Sequence, residues 1–324
     1  PIINRVNCEG NRGMSDESLQ GVVQSKPRSV LTRARVQSDV ERILETYRRR
    51  GNYEASVTPQ MIDLQQNRVD LVFEIDEGGK TQVARITFIG NKSFSDGRLR
   101  DIIKTRQSGY LGWLRTTDTY DPDRFAADQE LLRRFYYNHG YADFRIVSSV
   151  ADFDRERNTF FITYTLDEGP KYTFGEVNVD TTLSDLNPDQ LRGTLDTRAG
   201  KTYSSELVEK TIENLTIEAS KRGYAFAQVR PRGDRDFENH TISINYQIDE
   251  GPRAYIERIN IVGNTSTRDY VIRREFDIVE GDAYNRVLID RAERRLNDLG
   301  FFETVRITSE QGTAPDRVIV NVFV

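Results

Sequence analysis

The sequence predicts an α+β protein made of four tandem repeats, each folding as β-α-α-β-β. Three markers recur along the chain and support this prediction. Gly-Asn closes an apolar run at Gly10, Gly90 and Gly263. The sequence Asp-Glu-Gly recurs at Asp76, Asp167 and Asp249. A glycine followed closely by an aromatic residue recurs roughly 80 residues apart, at Gly51, Gly140, Gly223 and Gly300. A fixed period of this kind is the signature of repeated domains.

Each glycine of the third marker is expected to end a long helix. Positions 15, 11, 8 and 4 residues before it lie on one helical face, and in the first repeat all four are apolar. They are Val36, Val40, Ile43 and Tyr47. The other repeats keep this register, although Gln129 and Asn285 depart from the apolar pattern. Glycine at the end of such a helix is typical of a left-handed C-terminal cap.

Strands and a shorter helix surround each long helix. Alternation of apolar and polar residues predicts a first strand, as at Ile86 and Phe88. A short helix follows, for example over Ser266 to Phe276, and we expect Thr267 to cap its start. Two further strands come after the long helix. In repeat two they are predicted at Asp143 to Ala151 and Thr159 to Leu166.

The connections predict how the strands pair. The last two strands are close in sequence and should form an antiparallel hairpin. The first strand reaches the sheet through a helical crossover and should pair in parallel with the third, which leaves the second strand at the edge. Each repeat is therefore expected to have a three-stranded mixed sheet with two helices on one face. The predicted domains are 1–79, 80–171, 172–253 and 254–324, joined by short linkers into an elongated array.

Composition excludes several classes of function. Acidic residues exceed basic ones, 51 to 46, so no general positive field would hold nucleic acid. Cys8 is the single cysteine, so an internal disulfide is excluded, and no apolar run approaches the ~20 residues of a membrane helix. Because both ends begin or stop inside strand-like sequence, we expect the chain to be part of a longer protein.

No constellation of residues indicates an enzyme, a metal site or a cofactor. The two histidines lie in different repeats, and Cys8 occupies a core position of the first strand without a base nearby. The Asp-Glu pairs beside the turn glycines are expected to be solvated acids in linkers rather than acid–base catalysts.

Repeat two contains extra sequence, from Tyr110 to Asp121, with the only tryptophan, Trp113. Two interpretations remain open. Trp113 either folds back onto its own helices or is an exposed aromatic anchor for a partner, since aromatic residues are enriched at interface hot spots.

These motifs resemble a known family. The strings FIGN, HGYADF, LDEGPKY, RGYAFAQV and LGFFETV, placed on tandem β-α-α-β-β units, resemble polypeptide-transport-associated (POTRA) domains. Their order is similar to domains two to five of outer-membrane β-barrel assembly factors. The resemblance implies a periplasmic location and no cofactor. It implies three partners: unfolded outer-membrane β-barrel precursors, accessory assembly lipoproteins and a C-terminal membrane barrel of the same protein.

Two other interpretations of the resemblance remain open, each assigning the chain to a different class of protein. Two-partner secretion and autotransporter-assembly proteins use the same domains, although usually fewer of them. A periplasmic scaffold that is not linked to a barrel is the other.

The edge strand of repeat two is the predicted docking edge for a client strand or a partner. Edge strands are usually guarded by proline or charge, and repeats one and three carry Pro59 and Pro231 there. The edge of repeat four holds Glu303 and Arg306. The predicted edge in repeat two has no proline, no lysine and a single charge, at its end, and consists of Arg145, Ile146, Val147, Ser148, Ser149, Val150 and Ala151. We expect Ile146 and Val150 to face the helices.

The resemblance also implies a lipoprotein contact on the last repeat. The family places it at an acid just after the first helix, which here is Glu280, where repeat three has Ala199. Arg273 on the preceding helix matches a basic position of the same surface. The alternative is that Glu280 is an ordinary exposed acid before a turn glycine.

Overall fold

The computed structural model describes residues 1–109, 118–184, 186–265 and 267–324. The chain forms two compact units, one of residues 1–136 and 143–169, the other of residues 137–142 and 170–324. The first unit carries the sheets of repeats one and two, and the second carries those of repeats three and four.

Each repeat has the predicted order of elements. Repeat one contains β1 (Ile2–Glu9), α1 (Asp16–Val22), α2 (Arg33–Arg49), β2 (Ser56–Leu64) and β3 (Arg68–Asp76). Repeat two contains β4 (Gln82–Ile89), α3 (Asp96–Ile102), α4 (Pro122–Asn138), β5 (Arg145–Asp154) and β6 (Thr159–Asp167). Repeat three contains β7 (Thr173–Thr181), α5 (Pro188–Leu191), α6 (Ser205–Lys221), β8 (Ala227–Asp236) and β9 (Thr241–Glu250). Repeat four contains β10 (Tyr255–Val262), α7 (Asp269–Arg273), α8 (Arg286–Asp298), β11 (Arg306–Gln311) and β12 (Arg317–Phe323).

The sheet topology is the same in every repeat. The third strand is central, the first strand pairs with it in parallel, and the second pairs with it antiparallel. In repeat one, for example, Phe73 of β3 lies between Cys8 of β1 and Pro59 of β2. The predicted fold class is confirmed, with the second strand at the sheet edge.

The predicted helical face covers the sheet. Val36, Val40, Ile43 and Tyr47 of α2 are all buried against the strands of repeat one. One polar exception has a local cause. Asn285 is the N-cap of α8, and its side chain accepts a hydrogen bond from the Val287 N–H at 3.0 Å. It marks the start of the helix rather than a defect in its apolar face.

The glycine of each Gly-Asn pair lies where the first strand meets the end of the third. Gly10, Gly90 and Gly263 have φ near +90°. A Cβ at Gly90 would overlap the carbonyl oxygen of Leu166, and the other two glycines meet a third-strand carbonyl in the same way. Glycine is therefore required twice over, by its backbone conformation and by the lack of space.

The asparagine of the pair organises the turn into the first helix. The side-chain amide of Asn91 donates to the Phe94 carbonyl at 3.0 Å and to the carboxylate of Asp96 at 2.8 Å. Asp96 is the first residue of α3. Asn11 and Asn264 make the corresponding contacts.

The prediction that Thr267 caps the short helix of repeat four is wrong. Helix α7 begins at Asp269, its N-cap residue is Arg268, and Arg268 makes no side-chain cap hydrogen bond. The N–H of Thr267 instead donates to the side-chain oxygen of Asn264 at 3.0 Å. Asn264 thus orders the turn before α7, and the helix itself, Asp269–Arg273, is shorter than predicted.

A buried polar residue on the long helix was not predicted from the sequence. Asp39, Asp128 and Thr211 occupy equivalent positions, 12 residues before the helix-ending glycine, and each is fully buried. Each side chain accepts hydrogen bonds from two successive backbone N–H groups in the segment that joins the two helices. In repeat four the position is Leu288, which packs with Ile278 in an apolar cluster. These contacts satisfy backbone donors that burial would otherwise leave unpaired.

We predict that Gly90→Ala lowers the free energy of unfolding by about 1–3 kcal/mol, because alanine is strained at this φ and its methyl group overlaps a backbone oxygen. Gly97→Ala is the matched control. Gly97 lies in α3 with room for a methyl group, so this change should be neutral or stabilising. Thermal unfolding of the two variants measures the difference, and equal melting temperatures would contradict the argument.

Candidate functional site

One register position distinguishes the four sheet edges. It is the residue of the second strand that lies opposite Phe73, Tyr164, Tyr246 or Val322 of the third strand. The edge residues at this position are Pro59, Ser149, Pro231 and Ile307 in repeats one to four.

The backbone N–H at this position points outward from the edge, away from the neighbouring third strand. Ile307 donates it to the Glu293 side chain of α8 at 3.2 Å rather than to the neighbouring strand, and proline has no N–H to donate. In three repeats the outward donor is therefore either absent or occupied. Ser149 keeps its N–H, and within residues 1–109, 118–184, 186–265 and 267–324 no side chain accepts from it. Repeat two thus presents an open donor where the other repeats are guarded.

A β-bulge changes which residues of this edge face the helices. The register between β5 and β6 shifts between Ile146 and Ser148, so Val147 is an extra residue. Beyond the bulge, Ser149 lies opposite the buried Tyr164, whereas Val150 lies opposite Thr163 and is 43% exposed. The prediction that Val150 faces the helices is wrong, because a one-residue insertion exchanges the two faces of the strand.

The regular part of the edge runs from Ser148 to Asp154. At one end of β5, Arg145 and Asp167 form a cross-strand ion pair at 2.8 Å. On the face of the sheet away from the helices, Val150 of β5 lies opposite Thr163 of β6. Val147 is 59% exposed. The edge therefore offers backbone groups flanked by small, uncharged side chains from Ser148 to Ala151, with the acids Asp152 and Asp154 towards its end. Small side chains suit an added strand of varied sequence.

Trp113, the candidate aromatic anchor, lies outside the described residues. Among the residues that the structure does describe, no helix is long and apolar enough to cross a membrane, and no group of three or more acidic, histidine or cysteine side chains could hold a metal ion. Cys8 is half-buried against the core of repeat one, and burial, together with nearby Asp16, raises the pKa of its thiol to about 11. It is therefore protonated near neutral pH.

Glu280 and Arg273 form a pair that also holds the first strand of repeat four. The Glu280 carboxylate accepts from Arg273 at 2.8 Å and from the backbone N–H of Ile259 at 3.2 Å. Arg273 in turn donates to the Ile259 carbonyl at 3.0 Å. Repeat two uses Gln107 in the same way, with its side-chain oxygen 2.8 Å from the Ile86 N–H. Glu280 thus has a local structural role, and a side chain 39% exposed remains available to a partner.

The Asp-Glu pairs at the ends of the third strands were predicted to be solvated, and in two repeats this is wrong for the glutamate. Glu168 is only 7% exposed, accepts from the Tyr136 hydroxyl at 2.8 Å and is also bonded by the Ser93 backbone. Glu77 makes the same contacts to Tyr47 and Gly13.

In repeat three the helix position of the tyrosine is Ala219, and Glu250 is an exposed acid paired with Arg253. The glutamate of the Asp-Glu pair is therefore hydrogen-bonded to its own domain in repeats one and two, where the long helix supplies a tyrosine.

The four repeats match one known family over nearly the whole chain. The POTRA family, described as surface antigen variable number repeat, matches residues 1–78, 81–169, 172–251 and 254–324. The chain belongs to the POTRA family. This family is a family of scaffolds rather than enzymes, which confirms the prediction that the chain is not an enzyme.

Relatives of this POTRA chain include assembly factors. Outer membrane protein assembly factor BamA of Neisseria meningitidis serogroup B is 28% identical over 329 residues, covering 99% of this chain and 41% of the relative. BamA of Nitratidesulfovibrio vulgaris is 27% identical over 310 residues, covering 94% and 39%. The chain thus spans about 40% of the length of these relatives.

A solved structure agrees with the sequence relatives. The crystal structure of POTRA domains 3–5 of Haemophilus influenzae BamA is 25% identical, has a TM-score of 0.53 and covers 75% of this chain and 96% of that one. The four POTRA domains are homologous to the periplasmic region of BamA, as the sequence predicted.

The ion pair of the fourth POTRA domain predicts a pH dependence. A hydrogen bond from Arg273 lowers the pKa of Glu280 below its ordinary value of 4.5. Because the folded pKa is the lower one, the pair stabilises the domain above about pH 4.5, and this contribution is lost as the pH falls through the folded pKa. An NMR titration of the Glu280 carboxyl carbon should give a depressed midpoint that returns towards 4.5 in Arg273→Gln. Identical midpoints in the two proteins would refute the coupling.

Proposed function

We propose that this chain is the periplasmic part of a β-barrel assembly factor, where it receives unfolded outer-membrane protein precursors as added β-strands. The single observation that carries this proposal is the open edge of β5, with the free outward N–H of Ser149. The relatives' description as outer membrane protein assembly factors supports this client class. A periplasmic location follows from the same relationship.

Strand addition suits clients that share an alternating pattern but no sequence. Main-chain hydrogen bonds supply the affinity, and they make little demand on side-chain identity. The regular edge from Ser148 to Asp154 is short, so each contact buries less area than a stable interface and a client is released readily. We therefore place the preferred docking edge there, whereas Arg145, Ile146 and Val147 lie before or within the bulge.

We further propose that the fourth POTRA domain docks an accessory assembly lipoprotein through Glu280 and Arg273. The two side chains are 39% and 42% exposed, so each has capacity for a partner beyond their mutual contact. A charged pair at an interface contributes mainly to specificity and association rate. The partner surface is expected to carry a basic group opposite Glu280.

Ser149→Pro should abolish or strongly weaken strand binding while preserving the fold. It removes the outward donor and introduces the residue that POTRA domains one and three of this chain carry at the same register, at Pro59 and Pro231. The measurement is amide NMR on the 324-residue chain, titrated with a ten-residue alternating peptide from a barrel strand. Binding to the unmodified chain should shift amides from Ser148 to Asp154.

Ser148→Pro is the matched control, because successive residues of a strand direct their N–H groups to opposite sides. This change removes a ladder donor to β6 and should destabilise the second domain. Undiminished peptide binding by a folded Ser149→Pro variant would disprove docking at this edge.

Glu280→Gln and Glu280→Lys separate the structural role of Glu280 from its partner contact. Glutamine keeps the acceptor for the Ile259 N–H, as Gln107 does in the second domain, but loses the charge. We expect Gln to weaken binding of the assembly lipoproteins, measured with their soluble parts, and Lys to weaken it by about tenfold or more through charge repulsion. Unchanged affinity for both folded variants would remove Glu280 from the interface.

A further inference from the structure

An aromatic groove lies at the end of the open edge, between the first two POTRA domains of the first compact unit. It has a volume of about 530 Å³ and is lined by the aromatic residues Tyr53, Phe153 and Phe160, together with Ala55, Arg48, Arg155 and Glu54. Phe153 belongs to β5 itself, so the groove and the edge share a residue.

The aromatic walls are held in fixed positions by one another. Tyr53 meets Phe160 edge to face at 4.8 Å between ring centroids, and Phe153 packs on Phe160 at 5.1 Å. Phe160 is buried, whereas Phe153 is only half-buried. The groove therefore presents a preformed aromatic surface that needs no rearrangement to receive another ring.

The strand register directs a client side chain into this groove. Phe153 lies opposite the buried Phe160, so it points to the helix side of the sheet, as Ser149 does. Residues directly opposite each other on neighbouring strands place their side chains on the same face. The client residue opposite Phe153 therefore projects its side chain beside Phe153, at the mouth of the groove.

The chemistry of the groove favours an aromatic side chain. Cross-strand aromatic pairs add stability beyond the area they bury. Two arginines, Arg48 and Arg155, line the groove together with one acid, Glu54. No ion pair of either arginine is found among the described residues, so a guanidinium group can lie over the face of an incoming ring.

The position of the groove along the edge matches such a client. A membrane-spanning barrel strand carries aromatic residues near the membrane interfaces, that is, near its ends. The regular edge runs from Ser148 to Asp154, and Phe153 is its last residue but one. A barrel strand paired with this edge can thus place an aromatic residue from near its end opposite Phe153.

We propose that this groove is a side-chain subsite that selects client strands with an aromatic residue near one end. The inference rests on the strand addition proposed above and adds a side-chain preference to it. The open backbone edge supplies affinity for any extended segment, and the groove distinguishes a barrel strand from other unfolded sequence.

The test compares two ten-residue alternating peptides on the 324-residue chain. One carries tyrosine at its second and ninth positions, so that either strand direction places a ring opposite Phe153, and the other carries leucine there. We expect the tyrosine peptide to bind between about twofold and tenfold tighter. Its rings should show nuclear Overhauser contacts to Phe153 and to the Ala55 methyl group, which also lines the groove.

Phe153→Leu should remove the preference for tyrosine, and Arg155→Gln should reduce it without altering the core, because Arg155 is exposed. Phe161→Leu is the matched control. Phe161 lies next to Phe160 on β6, opposite Asp152 and on the other face, so the preference should remain.

Two outcomes would overturn the inference, and they differ in what they imply for strand addition. Equal affinities for the two peptides, with amide shifts still confined to Ser148 to Asp154, would eliminate the groove as a subsite and leave strand addition intact. If neither peptide shifts the β5 amides, strand addition fails and the groove inference fails with it.

Discussion

Parallel pairing between the first and third strands is the constraint on which the rest of each domain depends. A parallel partner requires a long crossover, which the two helices supply, and it places the third strand in the centre of the sheet. The second strand is then left with one neighbour and an unpaired side. The close contact at Gly90, where no Cβ fits, lets the chain leave the first strand against the end of the third. An edge is therefore a necessary product of this fold.

All four domains have this edge strand, but they differ at the backbone N–H that lies at the register position of Ser149. Proline removes it in the first and third domains, the Glu293 carboxylate occupies it in the fourth, and Ser149 leaves it open in the second. Fold alone would make the four edges equivalent. Edge strands are a liability that proteins usually guard, and the second domain departs at this donor from what the other three copies do.

The sequence predicted the repeats and the strand order, because these depend on periodicity and on the positions of glycine. It did not predict the bulge at Val147, since an inserted residue leaves an alternating pattern that reads equally well in either phase. Tyr47 was treated only as an apolar residue of the helical face, so its hydroxyl contact to Glu77, and the equivalent contact of Tyr136 to Glu168, were missed. The cap predicted at Thr267 was wrong because α7 begins two residues later, at Asp269, and the contact between the Thr267 N–H and the Asn264 side chain is not visible in a local sequence pattern.

The buried polar residue of the first three long helices has a consequence for how four similar domains fold within one chain. Tandem copies of one fold are prone to exchange elements during folding. If α2 packed on the sheet of the fourth domain, Asp39 would lie where Leu288 packs against Ile278. A charged group buried without partners costs about 3–5 kcal/mol, so the exchanged form is strongly disfavoured. The residue at this position therefore distinguishes the long helix of the fourth domain, which carries Leu288, from those of the first two, which carry Asp39 and Asp128.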